Sequence, residues 1–514
     1  MPQSQYIMTI DAGRSNLHVA VYEYEVGNKQ APELVRNFPN VPNEDFVSAR
    51  DGLKTERVAG VYGAVTGILA GLEPEFKRKM GMIVVDSHGA AAIVLDKNGN
   101  EFFTQIYDHD VSELRPAFDQ ICGPQDRLYL ETSTPALPVG INWLTQIHYL
   151  LQKFPDEMRG AAHITSVAGY ITSRLTGITG TDATHIGNHG YGLDYLTGEL
   201  SSAIANLGTR YNTSIEKLIG DFSRPYRPIS EVTEKTSKDF GLNPNCGVIS
   251  VAHDSSLAAI LAQIGDFQTM DSSGTWSVLM SPDKMVQVQT YMQQWDMTVN
   301  RDIFGKQLPT AMFRGGQMWK GYMELTGQTT DYSPQLDVNV LNKIFEHNLR
   351  VRPAFMDGVG PYKHSKKAPI LLEDVRKDSV QLAHMVQLAL AIQTAFSEAA
   401  SGGDLKEDTS ILEILADRRH EKILVAGPYT QGLAKDILNL VLPREMYIVD
   451  DKNPVNLAGA VVGAAALEGA SPDQLEIEGL PFRQVPIKHA ELRPKMIEYA
   501  QKWEKWVRDL PLND

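Results

Sequence analysis

The chain has 514 residues, 43% hydrophobic and 22% charged, with a mean hydropathy of -0.23, too long for one core and ordinary enough for two large globular domains. A formal net charge of -15 and a pI near 5.4 argue against a nucleic-acid partner or an anionic membrane surface, so local geometry must hold any anionic ligand. Two cysteines, Cys122 and Cys246, have no metal-ligand spacing, suit a reducing cytoplasm, and leave one disulfide open.

Met1 leads into a strand-like segment with no basic n-region or apolar h-region, and no apolar run is long enough to span a bilayer; a cytoplasmic protein is expected. Ile7 to Asp11 is apolar and ends in a carboxylate. Ala12-Gly13-Arg14-Ser15-Asn16 follows, then the alternation Leu17, Val19, Val21. This predicts a β-hairpin whose turn offers N–H groups, polar side chains and the Arg14 cation to phosphates, with Asp11 able to hold a hydrated Mg²⁺. Taken alone, such a turn is most often only a turn.

Residues 58–72 read as an amphipathic helix, and 82–85 as a buried strand ending in Asp86-Ser87-His88-Gly89. A strand over 90–95 and a hairpin turn over 96–99 follow. Asp86, His88 and Gly89 place polar groups and a close-approach glycine at a strand end, a pattern that fits a polar turn as well as a ligand contact. Tyr107-Asp108-His109-Asp110 reads equally as a polar site or a solvated loop. Helices are predicted over 141–153 and 161–175, then a loop over 177–185. His185 and His189 have the spacing of helical zinc ligands, but the intervening Gly187 and Asn188 and the missing Glu argue against a metal.

Val248 to Ala252 predicts a buried strand that stops at His253-Asp254, with Ser255 or Ser256 capping a helix from about Leu257. A carboxylate and an imidazole thus sit at a strand-to-helix switch, the rim where open α/β sheets bind ligands. The chain is divided here into residues 1–247 and 248–514. Strands over 267–272 and 275–280 are joined by a tight Ser273-Gly274 turn. The order strand, Asp, Gly-containing turn, strand is that of the Asp11 hairpin, half a chain later, and predicts duplicated domains facing across a cleft, each with a phosphate-holding turn.

Arg314-Gly-Gly-Gln-Met-Trp319 precedes a helix, 376–400 is one long helix, and 402–409 is a surface loop. Residues 423–426 form a buried strand broken by Gly427-Pro428 before a helix over 433–442, a workable nucleotide seat. The small residues of 456–467 predict a helix packed closely on a sheet. The tail over 491–507 is a charged amphipathic helix with a solvated face.

With these residues laid out, the chain resembles the FGGY carbohydrate kinases over nearly its full length, the rhamnulokinase and fuculokinase branch above all. Asp11 to Asn16 stands at the first phosphate hairpin, His253-Asp254-Ser255-Ser256 at the His-Asp motif, and Ser272 to Ser277 at the second phosphate hairpin. Tyr170 to Gly177 with Thr181-Asp-Ala-Thr184 is similar to the loop before the sugar site. Val425-Ala426-Gly427 stands at the adenosine motif.

The resemblance implies an α/β fold of two duplicated ribonuclease-H-like domains, of the actin and hexokinase type, and an ATP- and Mg²⁺-dependent kinase of a small sugar. Asp254 would be the general base. Asp86, His88, Gly89, His253, Asp254 and Ser255 would contact the sugar, and Asp11 and Asp254 would hold Mg²⁺ through water. Gly13, Arg14, Ser15, Asn16, Gly274, Thr275, Gly427 and Pro428 would hold the nucleotide. Three departures stand out: Arg14 where a small or hydroxyl residue is usual, one glycine in Ala426-Gly427-Pro428 where two or three are usual, and, in Arg314-Gly-Gly-Gln-Met-Trp319, not the amide residue that this branch places near the sugar. A catalytically silent sugar- or nucleotide-binding protein of the same fold is the alternative, and a chaperone-like ATPase with a protein partner a more distant one. The acidic charge leaves homodimerisation open.

Overall fold

The computed structural model describes residues 4–42, 47–50, 53–56, 58–104, 109–137, 140–188, 190–329, 332–352, 370–371 and 378–509. The chain divides into two compact units: 1–264 with 298–308 and 453–480, and 265–297 with 309–452 and 481–514.

In the first unit the main sheet runs in the order Ser230–Glu231, Gly247–His253, Met80–Ser87, Ser4–Ala12, Asn16–Glu25, Glu33–Asn37. Its centre is parallel: Ser4–Ala12 pairs with Met80–Ser87, and that strand with Gly247–His253. Ile7, Met8, Ile10, Ile83, Val84 and Val85 are all buried, the continuous apolar runs of strands covered on both faces. The hairpin from Ser4–Ala12 to Asn16–Glu25 forms as predicted, in register from Ser4 opposite Glu25 to Ala12 opposite Leu17.

The second unit repeats this plan. Its strands run Phe482–Gln484, Glu445–Val449, Lys422–Ala426, Thr269–Ser273, Ser277–Met280, Gln307–Phe313. Thr269–Ser273 is parallel to Lys422–Ala426 and antiparallel to Ser277–Met280, as Ser4–Ala12 is parallel to Met80–Ser87 and antiparallel to Asn16–Glu25. Asp11 and Asp271 hold like places, each on the strand that opens a hairpin.

Several boundaries differ from those read in the sequence. The join expected at Val248 falls inside Gly247–His253, which the first sheet claims by pairing with Met80–Ser87; the units part after Ile264. The next helix is Asp254–Ile264 and starts three residues before Leu257. Asp254 is its first residue and takes the Ser255 amide itself, at 2.6 Å, so neither serine is its cap. Over 161–175 a short strand, His163–Thr165, precedes the helix Val167–Thr176, which Ser166 caps by accepting the Gly169 amide. A three-residue strand is invisible inside a helical window. Both cysteines are buried and free. Tyr107, Asp108 and His189 lie outside the described residues, and no helix among those described is long and apolar enough to cross a membrane.

The small-residue helix, Pro454–Leu467, packs on the first sheet although it lies near the chain's end. A Cβ at Gly459 would stand 3.2 Å from Thr9 Cγ2, and one at Gly463 2.6 Å from Ile7 Cγ2. Glycine at these two places lets the helix backbone approach the sheet.

Candidate functional site

In the first unit three parallel strands end side by side, and each delivers a carboxylate. Asp11 is paired in register with Asp86 on the neighbouring strand, and Asp254 follows the end of the third. Asp86 is fully buried and Asp11 nearly so. Neither Asp86 oxygen, nor Asp11 Oδ1, has a hydrogen-bond partner among the described residues other than the facing carboxyl, with which a shared proton would make one. Burial first, and then repulsion from Asp254, push Asp11 up to about 8, its contact with Asp86 working the other way. Asp86 is raised well above the usual carboxylate range by burial and by both neighbours. Such crowding is relieved by sharing a proton or by a cation.

Asp254 is held differently. Its Oδ1 accepts from the Ser255 amide at 2.6 Å and the Ser255 hydroxyl at 3.1 Å, and His253 Nε2 stands 3.4 Å from the same oxygen. Burial holds His253 down to about 4, against the pull of Asp254, so the ring is uncharged at neutral pH. The ring lies on Gly89, where any Cβ would overlap it. The His88 amide donates to the Ala12 carbonyl at 3.1 Å, tying this strand end to the hairpin. Asp11, Asp86, His88, Gly89, His253, Asp254 and Ser255 are therefore gathered at one rim, next to the turn that carries Gly13, Arg14, Ser15 and Asn16.

In the second unit, the Ser273-Gly274 turn is overlaid by two further segments. Gly427 has φ +84°, and a Cβ there would overlap the Ser273 carbonyl oxygen. The Ser273 hydroxyl donates to the Ala426 carbonyl at 2.6 Å and accepts the Tyr429 amide at 3.4 Å. From the other side comes the helix Gly315–Thr326. Its Gly316 abuts the Gly274 carbonyl, and the Gln317 amide donates to the Thr275 carbonyl at 3.3 Å. The sequence reading placed 314–319 ahead of this helix; in the structure Arg314 is its N-cap, with the guanidinium 5.2 Å over the Trp276 ring. Gly274, Thr275, Gly427 and Pro428 are thus brought together, with Gly274, Thr275 and Pro428 exposed.

Sequence reasoning missed the pairing of Asp86 with Asp11, the roles of Ser87 and His185 described below, and the part of Gly315-Gly316. The signal for the first was present, two apolar runs each closing on Asp, but adjacency of strands distant in sequence is decided by sheet order. A cavity of about 1040 Å³ elsewhere in the first unit, bordered by Tyr62, Lys97 and Arg174, is lined by none of these residues.

Asp271 has no counterpart of Asp86 beside it; Val425 occupies that register position. Its carboxyl is fully buried, neither oxygen has a hydrogen-bond partner among the described residues, and burial pushes it up to about 8. The folded protein therefore keeps this proton where the unfolded chain, with its ordinary 3.8, has released it. The resulting stabilisation is complete below that ordinary value and is lost as pH rises through about 8. Asp271→Asn is expected to leave Tm unchanged at about pH 4 and to raise it at about pH 8 by roughly 2–4 °C for each kcal/mol of ionisation strain removed. Thermal melts of both proteins across that range check this.

Paired duplicated units of this topology, each opening on an Asp-bearing hairpin, define the class of two-domain proteins with ribonuclease-H-like folds. Residues 267–446 match the family described as carbohydrate kinase FGGY, C-terminal domain. L-fuculokinase of Haemophilus influenzae (strain ATCC 51907 / DSM 11121 / KW20 / Rd) is 26% identical over 207 residues, 39% of this chain and 41% of that one. Rhamnulokinase of Yersinia pestis bv. Antiqua (strain Angola) is 25% identical over 280 residues, 53% of each. The matches span about half the length of these curated relatives. A carbohydrate kinase structure from Novosphingobium aromaticivorans superposes with a TM-score of 0.76 at 20% identity over 99% of both chains, a likeness of fold.

Proposed function

We propose that the protein transfers the γ-phosphoryl group of ATP to a hydroxyl of a small sugar, a ketose or 6-deoxyketose such as rhamnulose, fuculose, ribulose or xylulose. The observation that carries this reading is Asp254: a half-buried carboxylate at a strand end, with Oδ1 anchored and a crowded carboxyl pair beside it. The names of the two curated relatives support a ketose.

With Oδ1 held by Ser255, the other oxygen of Asp254 is the one to take the proton of the attacking sugar hydroxyl as its oxygen bonds to the γ-phosphorus and ADP leaves. His253, uncharged and fixed against Gly89, offers the sugar a neutral hydrogen-bonding ring, and His88 and Gly89 border the same place. In the second unit the Gly274 N–H is given to the Trp276 carbonyl at 2.7 Å, so the Gly274-Thr275 turn, with Gly427-Pro428 over it, would meet the nucleotide through the Thr275 N–H and the open space beside Gly274.

The donor set fits Mg²⁺. It consists of carboxylate oxygens, some buried without partners, as a hard cation prefers. Asp11 and Asp254 would hold the ion through its own waters. When bound, it would neutralise charge on the transferring phosphoryl group.

ADP release with MgATP across ketoses, aldoses and polyols tests this reading. Turnover driven by one sugar class at least tenfold above the ATP-only rate is expected. A folded protein that binds sugar and yet turns over none would overturn it in favour of a silent binder.

A further inference from the structure

Beneath the rim lies a cluster that the proposed chemistry does not use. The strand Gly247–His253 follows its neighbour in regular register from Gly247 opposite Met82 to Ser250 opposite Val85, then slips, so that His253 falls opposite Ser87. Three residues on one strand match two on the other, a bulge of the kind that re-aims side chains beside functional sites. The regular ladder is thus interrupted just before His253 and resumes there opposite Ser87, and side-chain groups help to fix the strand end that carries Asp254.

They are fixed from one buried carboxylate. Asp182, 1% exposed, caps the short helix Ala183–Gly187, its Oδ1 accepting the amides of Thr184 and His185 at 2.9 and 3.1 Å. The Thr184 hydroxyl also donates to Oδ1, and in turn accepts the backbone N–H of His253 at 2.9 Å. Asp182 Oδ2 stands 2.6 Å from His185 Nδ1, and His185 Nε2 3.1 Å from the Ser87 hydroxyl. Ser87 also accepts the Ala168 amide at 3.2 Å. Burial opposes ionisation of Asp182, yet His185 and Thr184 hold it below the usual carboxylate range. An Asp-His-Ser series suggests hydrolytic chemistry, but Ser87 and His185 are both fully buried and no substrate reaches them.

We propose that Asp182 is a positioning residue, a two-armed clamp that sets the strand end bearing Asp254 against the strand end bearing Asp86. One arm runs through Thr184 to the His253 amide, the other through His185 to Ser87. The clamp adds side-chain ties where the regular pairing is interrupted between Ser250 and His253. Nδ1–H of His185 faces Asp182, and Nε2 shares a hydrogen bond with the Ser87 hydroxyl. The consequence for phosphoryl transfer rests on the kinase reading; the clamp itself does not.

Thr184→Val and Thr184→Ser separate the hydroxyl from the shape. Hydrogen exchange of the peptide containing His253 and Asp254 is expected to quicken at least tenfold in Thr184→Val and to match the wild type in Thr184→Ser. With the sugar that the wild type phosphorylates, kcat per folded protein is expected to fall by tenfold or more in Thr184→Val, as displacement of a reacting group by about 1 Å can cost about 10²-fold. Thr184→Ser restores it. His185→Gln, which breaks the other arm, is expected to loosen the peptide around Ser87 instead. Unchanged exchange in Thr184→Val, or a lowered Tm with kcat within twofold of wild type, would overturn the clamp. If the wild type phosphorylates no sugar the kinase reading fails, and exchange alone then decides for or against the clamp.

Discussion

Asp254→Asn is expected to yield a folded protein that binds its sugar and turns it over at least ~10²-fold more slowly. Asparagine keeps an oxygen that can accept the Ser255 amide now bonded at 2.6 Å, so the start of the helix Asp254–Ile264 survives. What it loses is the oxygen free to take a proton. The substitution also removes one of the charges that repel Asp11, so apo stability at neutral pH is not expected to fall. Single-turnover phosphorylation beside a sugar titration and a melt checks all three points. A variant that keeps more than a tenth of wild-type kcat would remove Asp254 from the role of base.

Gly427→Ala is expected to damage the second unit itself. Alanine at φ +84° is strained, at about 1–3 kcal/mol, and its Cβ would overlap the Ser273 carbonyl oxygen, a backbone atom. Forced apart, the Gly427-Pro428 turn would lose both Ser273 hydroxyl contacts, at Ala426 and Tyr429. A Tm lowered by several degrees and a KM for ATP raised at least tenfold are the expected readings. Gly274→Ala makes the contrast. Its Cβ would meet only the Trp276 carbonyl, at 3.9 Å, so Tm should hold, while ATP binding should weaken if, as proposed, a phosphate takes the space beside Gly274. Equal ATP affinity in Gly274→Ala and wild type would take the phosphate away from this turn.

The two hairpins were legible because each is local: an apolar run, an Asp, a Gly-bearing turn and a second run within about a dozen residues specify antiparallel pairing without help from elsewhere. The same holds for His253-Asp254, where a β-branched run breaks abruptly. The following helix starts earlier than the serines imply, because Asp254, as good a capping residue as serine, satisfies the first amide with its own side chain. The Asp11–Asp86 pair was not legible. Each residue ends its strand in the same manner, but 75 positions of sequence separate them, and only the parallel register sets them side by side. Thr184 and His185 looked like loop residues for the same reason, since their partners, His253 and Ser87, come from strands far off in the chain.

By itself, then, the sequence determined the repeated strand-Asp-turn-strand units, their α/β character and the residues most able to do chemistry, because these depend on periodicity and turn stereochemistry within short windows. Tertiary structure alone decided which strand ends are neighbours and which helix covers which sheet. It took Pro454–Leu467 from the end of the chain to the first sheet, where glycines admit Ile7 and Thr9, and it moved the division between units from Val248 to Ile264. Close packing and parallel pairing join residues through space, and neither leaves a mark on the order in which they occur along the chain.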